Sequence, residues 1–192
     1  RAHWRLLGNP SVMARTWNDE LPDEVRKGLL KVKLIDTDGT GPDYDQWDGY
    51  PIERREVLER IAALEPANVV VLSGDVHVGL AAELAEDPSQ PPVAVEFVNT
   101  SLTSQNLDDK MGWAPRTASL PIEAALLEGM AHFRHVDLDS HGYSIVDIDR
   151  GRLRFEWWTV DALDTRSDGE TLSAALAVRH GIPRLVAEDE PD

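Results

Sequence analysis

An apolar run, Asn68-Val69-Val70-Val71-Leu72-Ser73-Gly74, ends in a carboxylate and an imidazole, Asp75 and His77. Two residues apart, these side chains face one side of an extended backbone, and in a tight loop both reach a single ion. An oxygen and a nitrogen donor together suit iron, zinc or manganese better than a purely alkaline-earth site. A bland alternative stands beside this one: Asp75 capping a helix over Gly79 to Leu84, with His77 an incidental loop residue.

Other groups offer chemistry with weaker patterns. Arg54 and Arg55 sit one helical turn beyond a loop, where one guanidinium can address a phosphate. The competing role is pairing with Glu53, Glu56 and Glu59 on a wet helix face. Thr100 and Ser101 open a hydroxyl-rich loop, Asn99 to Ser104, whose hydroxyls either donate to phosphate oxygens or close turns. Asp36-Thr37-Asp38-Gly39 is oxygen-rich enough for calcium, but it lacks the spacing and terminal Glu of an EF-hand loop, so a solvated turn is favoured. His132 and His135 stand three apart in an alternating stretch, which places them on opposite faces, and His135 reads as structural.

The elements that position these groups follow from periodicity. Four consecutive branched or aliphatic residues, Val69 to Leu72, suit a strand covered on both faces, and its C-terminal end is where sites form in open α/β sheets. Val93 to Val98 reads as a second such strand. Asp19 to Lys27 reads as a short helix whose continuation Gly28 weakens. Pro51 to Leu64 reads as a longer one, with Ile52, Val57, Leu58, Ile61 and Leu64 on its apolar face and Pro51 in its first turn. Gln105 to Arg116 lacks periodicity and reads as a surface excursion. Ile122 to Met130 is helical, and Phe133 to Leu138 alternates. Tyr143 to Ile148 and Leu153 to Val160 form a hairpin through Asp149-Arg150-Gly151-Arg152, an antiparallel edge to the core. Thr171 to His180 reads as a terminal amphipathic helix.

Composition sets the outer limits. The 192 residues hold 35 acidic and 19 basic side chains, a net charge of −16, which argues against a surface for nucleic-acid polymers. With no cysteine, the segment has neither disulfide nor thiolate ligand. No apolar run is long enough to span a bilayer, and no signal peptide is visible after Arg1. No repeat or linker divides the chain, so residues 1–192 read as a single domain. Residues 186–192 read as an acidic tail.

Asp45-Gln46-Trp47-Asp48-Gly49-Tyr50-Pro51, Arg54-Arg55 and the Asn68 to His77 run occur in this order and spacing. They are followed by Ala94 to Ser104, His141-Gly142-Tyr143-Ser144-Ile145-Val146-Asp147-Ile148 and Phe155-Glu156-Trp157-Trp158, and preceded by Trp4 to Asn9. Together these blocks resemble the PhoD-like alkaline phosphatases, a branch of the metallophosphoesterases. The resemblance implies an α/β (α+β) fold, the C-terminal half of a mixed β-sandwich flanked by helices. It implies metal ligation by Asp75, His77 and an aspartate of the Trp47 block, Asp45 before Asp48, and adds His132 as a site residue just before its strand. The implied activity is hydrolysis of small phosphomonoesters or phosphodiesters with iron(III) and calcium(II), or other divalent metals, in an exported enzyme. Earlier family blocks, with further carboxylates and a cysteine ligand, have no match here. The chain is therefore expected to be a segment whose partner is the upstream remainder of the catalytic domain, and to be inactive in isolation. The alternatives are a non-catalytic scaffold or binding module of the same half-fold, and another metallohydrolase acting on nucleotides.

Overall fold

The computed structural model describes residues 2–16, 22–31, 35, 44–64, 68–87 and 89–188. Two sheets and a helical layer stack in three tiers. The first sheet has five strands in the order β1-β2-β4-β3-β5: β1 (Arg5–Gly8), β2 (Val69–Ser73), β3 (Gly79–Leu84), β4 (Ala94–Val98) and β5 (Phe133–Asp137). β1, β2 and β4 run parallel, while β3 lies antiparallel to both β4 and β5. The second sheet is an antiparallel meander of β6 (Gly142–Ile148), β7 (Arg152–Val160), β8 (Glu170–Arg179) and β9 (Ile182–Ala187).

The period-2 pleat explains why the middle sheet is apolar throughout. Val69 and Val71 point into one core with Leu29, Leu58, Ile61, Leu107 and Leu126 of the helices. Val70, between them, points the other way, into a core with Phe97, Leu153, Phe155, Trp157, Leu176 and Val178. Phe97 and Phe155 stack across the two sheets with ring centroids 4.6 Å apart. The helices are α1 (Asp23–Lys31), α2 (Pro51–Ala62), α3 (Leu107–Met111) and α4 (Leu120–Gly129).

Several expectations are corrected. Thr171 to His180 is not a helix: residues Glu170–Arg179 form β8, the helix propensity of Leu and Ala being overridden by pairing with β7 and β9 and by Leu176 and Val178, which alternate into the inter-sheet core. The hairpin of β6 and β7 is thus no mere edge but half of a second sheet. Gly79 to Leu84 is strand β3, so Asp75 caps no helix there. α1 passes straight through Gly28, which is buried against Ile122 and tolerated for closeness: an added Cβ would lie 3.1 Å from that side chain. The expected start of α1 at residues 19–21 lies outside the described residues, as do Asp36 and Asp38. Ile52 and Leu64 leave the apolar face of α2, being 58% and 38% exposed, and the buried Arg54 shares that face with Leu58 and Ile61. The stretch from Gln105 to Arg116 is anchored rather than superficial, with Asn106, Leu107 and Asp108 buried around α3. At the C-terminus, Val186 and Ala187 belong to β9 and Glu188 pairs with Arg152, so residues 186–188 are no tail; residues 189–192 lie outside the described part.

Candidate metal centre

Parallel strands bring their C-terminal ends to one edge of a sheet, and the register places Gly8, Ser73 and Val98 there together. The chain continues from each into polar residues: Asn9 after β1, Gly74 to His77 after β2, and Asn99 to Ser101 after β4. Backbone bonds knit these loops, Asn9 N–H donating to Leu72 O at 3.0 Å and Asn99 N–H to Ser73 O at 3.0 Å.

The turn after β2 has an unusual backbone. Asp75 and His77 adopt φ values of +73° and +62°, a left-handed region that costs non-glycine residues energy. Val76 and Val78, both buried, hold the turn in the core while Asp75 and His77 face outward. Strain at alternate residues, fixed by apolar anchors between them, is how this loop presents two ligand-type side chains at the sheet edge.

Each side chain is oriented by a neighbour. His77 Nδ1 lies 3.1 Å from Gln105 O, so the ring donates its Nδ1–H to that carbonyl and keeps the Nε2 lone pair for another partner. Gln46 Nε2 donates to Asp75 Oδ2 at 3.4 Å, while Gln46 Oε1 accepts Val12 N–H at 2.6 Å. Asp45, exposed, is adjacent to Gln46, and the two line a cavity of about 420 Å³ with Asn9, Trp47, Tyr50 and Glu53. Among the described residues no three His, Asp or Glu side chains form one group able to hold an ion, so Asp45 is not gathered with Asp75 and His77 into a closed set.

A buried carboxylate stands behind the turn. Glu96, on β4, accepts Met13 N–H at 2.8 Å, Ala14 N–H at 2.7 Å and the Ser73 hydroxyl at 2.6 Å. Burial pushes its carboxyl above the ordinary carboxylate range, and these donors oppose the shift. It fixes the Val12 to Ala14 segment beside the end of β2.

The other candidates are placed elsewhere. Arg54 donates Nε–H to Met13 O at 2.7 Å and its other nitrogens to Ala85 O at 3.2 Å and Glu86 O at 3.5 Å, so its guanidinium is a backbone clamp. Burial lowers its affinity for a proton, opposed by Asp48. His132 Nε2 lies 2.7 Å from Arg15 O in this same neighbourhood, and burial holds its ring below the ordinary histidine range. Asp48 accepts the Thr16 N–H at 2.6 Å. The hydroxyl of Thr100 donates to Ser140 O at 2.6 Å, and that of Ser101 lies 2.5 Å from Ser104 O and 3.3 Å from His141 Nδ1. Both are engaged in closing loops.

The residues of the centre that the sequence did not single out are Asn9, Gln46 and Gln105. Asn9 accepts Trp47 Nε1–H at 3.1 Å and donates to Ser73 Oγ at 3.3 Å, tying β1, the Trp47 block and β2 together. Its place directly after a short apolar strand was the available signal. Gln105 acts through its carbonyl, for which side-chain patterns carry no signal.

Comparisons with known proteins agree on one family. The family model described as PhoD-like phosphatase matches residues 1–157. Alkaline phosphatase D of Bacillus subtilis (strain 168) is 46% identical over 63 residues, covering 31% of this chain and 11% of that protein. The solved structure of PhoD superposes with a TM-score of 0.73 at 24% identity, over 100% of this chain and 32% of that one, a likeness of fold. The chain thus spans about a third of the solved protein it matches.

Proposed function

Because the chain belongs to the PhoD-like phosphatase family, we propose that it supplies metal-ligating residues to a hydrolase of small phosphoesters, with Asp75 and His77 as ligands. The observation that carries the reading is the turn after β2: Asp75 and His77 both stand at positive φ beyond the parallel-strand edge, and the His77 ring, resting its Nδ1 on Gln105 O, keeps the Nε2 lone pair for another partner. The donor set, one imidazole nitrogen and one carboxylate, fits iron(III), and carboxylate oxygen also fits calcium. When bound, such ions supply positive charge that attracts phosphate and favours deprotonation of water.

The protein's own part is positioning. Gln46 steadies the Asp75 carboxylate, Gln105 fixes the His77 ring, and Glu96 anchors the segment packed behind them. A chain with net charge −16 repels phosphate, so local cationic charge is a requirement of an anionic substrate rather than an accessory. The cavity containing Trp47 and Tyr50 offers an apolar wall to the organic part of an ester. An exported location belongs to the same proposal and rests on the family alone; among the described residues no helix is long and apolar enough to cross a membrane.

A second reading is a non-catalytic binding module of this half-fold. It is favoured by one observation: no three ligand-type side chains converge among the described residues. Hydrolysis of p-nitrophenyl phosphate and bis(p-nitrophenyl) phosphate by the native protein separates the two. Under the phosphatase reading, Asp75→Ala and His77→Ala each lower kcat/KM by roughly a thousandfold with the fold retained. Wild-type turnover in both variants, or none in the metal-loaded native protein, would overturn it.

A further inference from the structure

We infer that His141 is a positioning residue for the candidate centre: through Asp109 and Ser101 it orients the peptide unit whose carbonyl holds His77, and so decides which nitrogen of His77 stays free. That a metal uses this nitrogen rests on the proposed function; the orienting role does not.

The loop that carries the carbonyl is not shaped by packing. Leu102, Thr103, Ser104 and Gln105 are all exposed, yet Gln105 O meets His77 Nδ1 at 3.1 Å. Four exposed residues in a row gain little from apolar burial, so hydrogen bonds at the ends of the loop set its course. At one end, Gly142 N–H donates to Ser101 O at 3.0 Å. At the other, Asn106 is fully buried, its Nδ2 donating to Asp139 O at 2.7 Å and to Ser140 O at 2.9 Å. Ser101 Oγ joins the two ends, lying 2.5 Å from Ser104 O and 2.7 Å from Asn106 Oδ1.

Gln105 C=O and Asn106 N–H belong to one peptide unit, and in a planar trans peptide these groups point in opposite directions. Whatever holds the amide therefore aims the carbonyl. The amide donates to Asp109 Oδ2 at 3.2 Å, the reach-back of a capping box at the start of α3. That carboxylate is held in turn by His141, whose Nε2 lies 3.0 Å from the same Oδ2 and carries the hydrogen, since an ionised carboxylate only accepts. His141 Nδ1 lies 3.3 Å from Ser101 Oγ. One ring thus touches both the group that grips the peptide and the hydroxyl that joins the loop's ends. The His141 side chain is 11% exposed against 38% for Asp109, so the ring is the firmer partner, and without it the carboxylate turns to water. Released from its carbonyl, the His77 ring takes up the Nε2–H form that imidazole prefers in water, which occupies the free lone pair.

The test reads the His77 tautomer in chelator-stripped native protein by nitrogen-15 NMR of labelled histidine at pH 8, above the ordinary imidazole range. The His77 signal is the one lost in His77→Gln. Wild type should show Nδ1–H with a bare Nε2. His141→Phe keeps a ring but no donor, and should cut the Nδ1–H population by roughly twofold or more. His141→Gln, whose amide nitrogen stands as many bonds from the backbone as the ring Nε2, should restore it. Asp109→Ala, at a partly exposed position, should reproduce the His141→Phe shift, and the two together should shift it no further; this variant carries the test if His141→Phe fails to fold. An unchanged Nδ1–H form in either folded variant, or a wild type already in the Nε2–H form, would overturn the inference. Zinc titration of the same proteins should show roughly tenfold weaker binding in His141→Phe than in His141→Gln. Equal zinc affinities beside a shifted tautomer would remove His77 from the metal and leave the positioning role standing.

Discussion

His135 makes the stability of this protein pH-dependent in a calculable way. The imidazole lies against Trp157 with ring centroids 4.4 Å apart, and its Nε2 is buried without a hydrogen-bond partner among the described residues. Burial pushes its pKa down to about 4, with Asp137 opposing the shift and Arg116 adding to it. The folded chain therefore holds this ring neutral while the unfolded chain protonates it near pH 6.5. Because the folded value is depressed, stability is fully present above pH 6.5 and is lost as pH falls toward 4. The full shift is worth about 3 kcal/mol, and by pH 5 roughly 2 kcal/mol is already lost. Measurement should stop near pH 5, since the isoelectric point of about 4.6 invites precipitation below it. His135→Phe keeps a ring against Trp157 and removes the titration. Urea unfolding of both proteins at pH 7.5, 6 and 5 should show the variant gaining about 2 kcal/mol relative to wild type across that window. Curves that stay parallel within about 0.5 kcal/mol would refute the reasoning, because other acid-labile groups are common to both proteins.

Two further substitutions probe the scaffold. Arg54→Lys should lower stability by roughly 2 kcal/mol in urea unfolding, since one ammonium cannot span the carbonyls of Met13, Ala85 and Glu86; a raised KM with unchanged stability would instead reveal a phosphate clamp. Gly142→Ala places a Cβ 1.9 Å from Trp158 O, a backbone atom, and should cost at least about 2 kcal/mol. A thermal midpoint for that variant within 1 °C of wild type would show that β6 and β7 can separate without penalty.

The fold was legible where periodicity and packing agree. Val69 to Leu72 suited a doubly covered strand and forms one, with Asp75 and His77 in the turn beyond its C-terminal end. β8 was illegible for a physical reason: Leu172, Ala175, Leu176 and Arg179 satisfy a helical face, and only pairing with β7 and β9 selects the extended form. Arg54 was misplaced because a basic residue on an acidic helix looks solvated until backbone carbonyls from Met13 and Ala85 arrive around it. Likewise Gln46 and the Gln105 carbonyl are unremarkable in sequence, since their roles arise from contacts across 29 and 28 residues. Asp45, which the resemblance implied as a metal ligand, lies beside Gln46 on the rim of the cavity and, among the described residues, is not gathered with Asp75 and His77 into one group of ligands.

The most direct test of that proposal is elemental analysis of the native protein beside Asp75→Ala and His77→Ala, with far-UV circular dichroism on all of them. The account expects iron or another transition metal in the native protein, its loss from both variants, and unchanged spectra. Native metal content retained in both folded variants would contradict it.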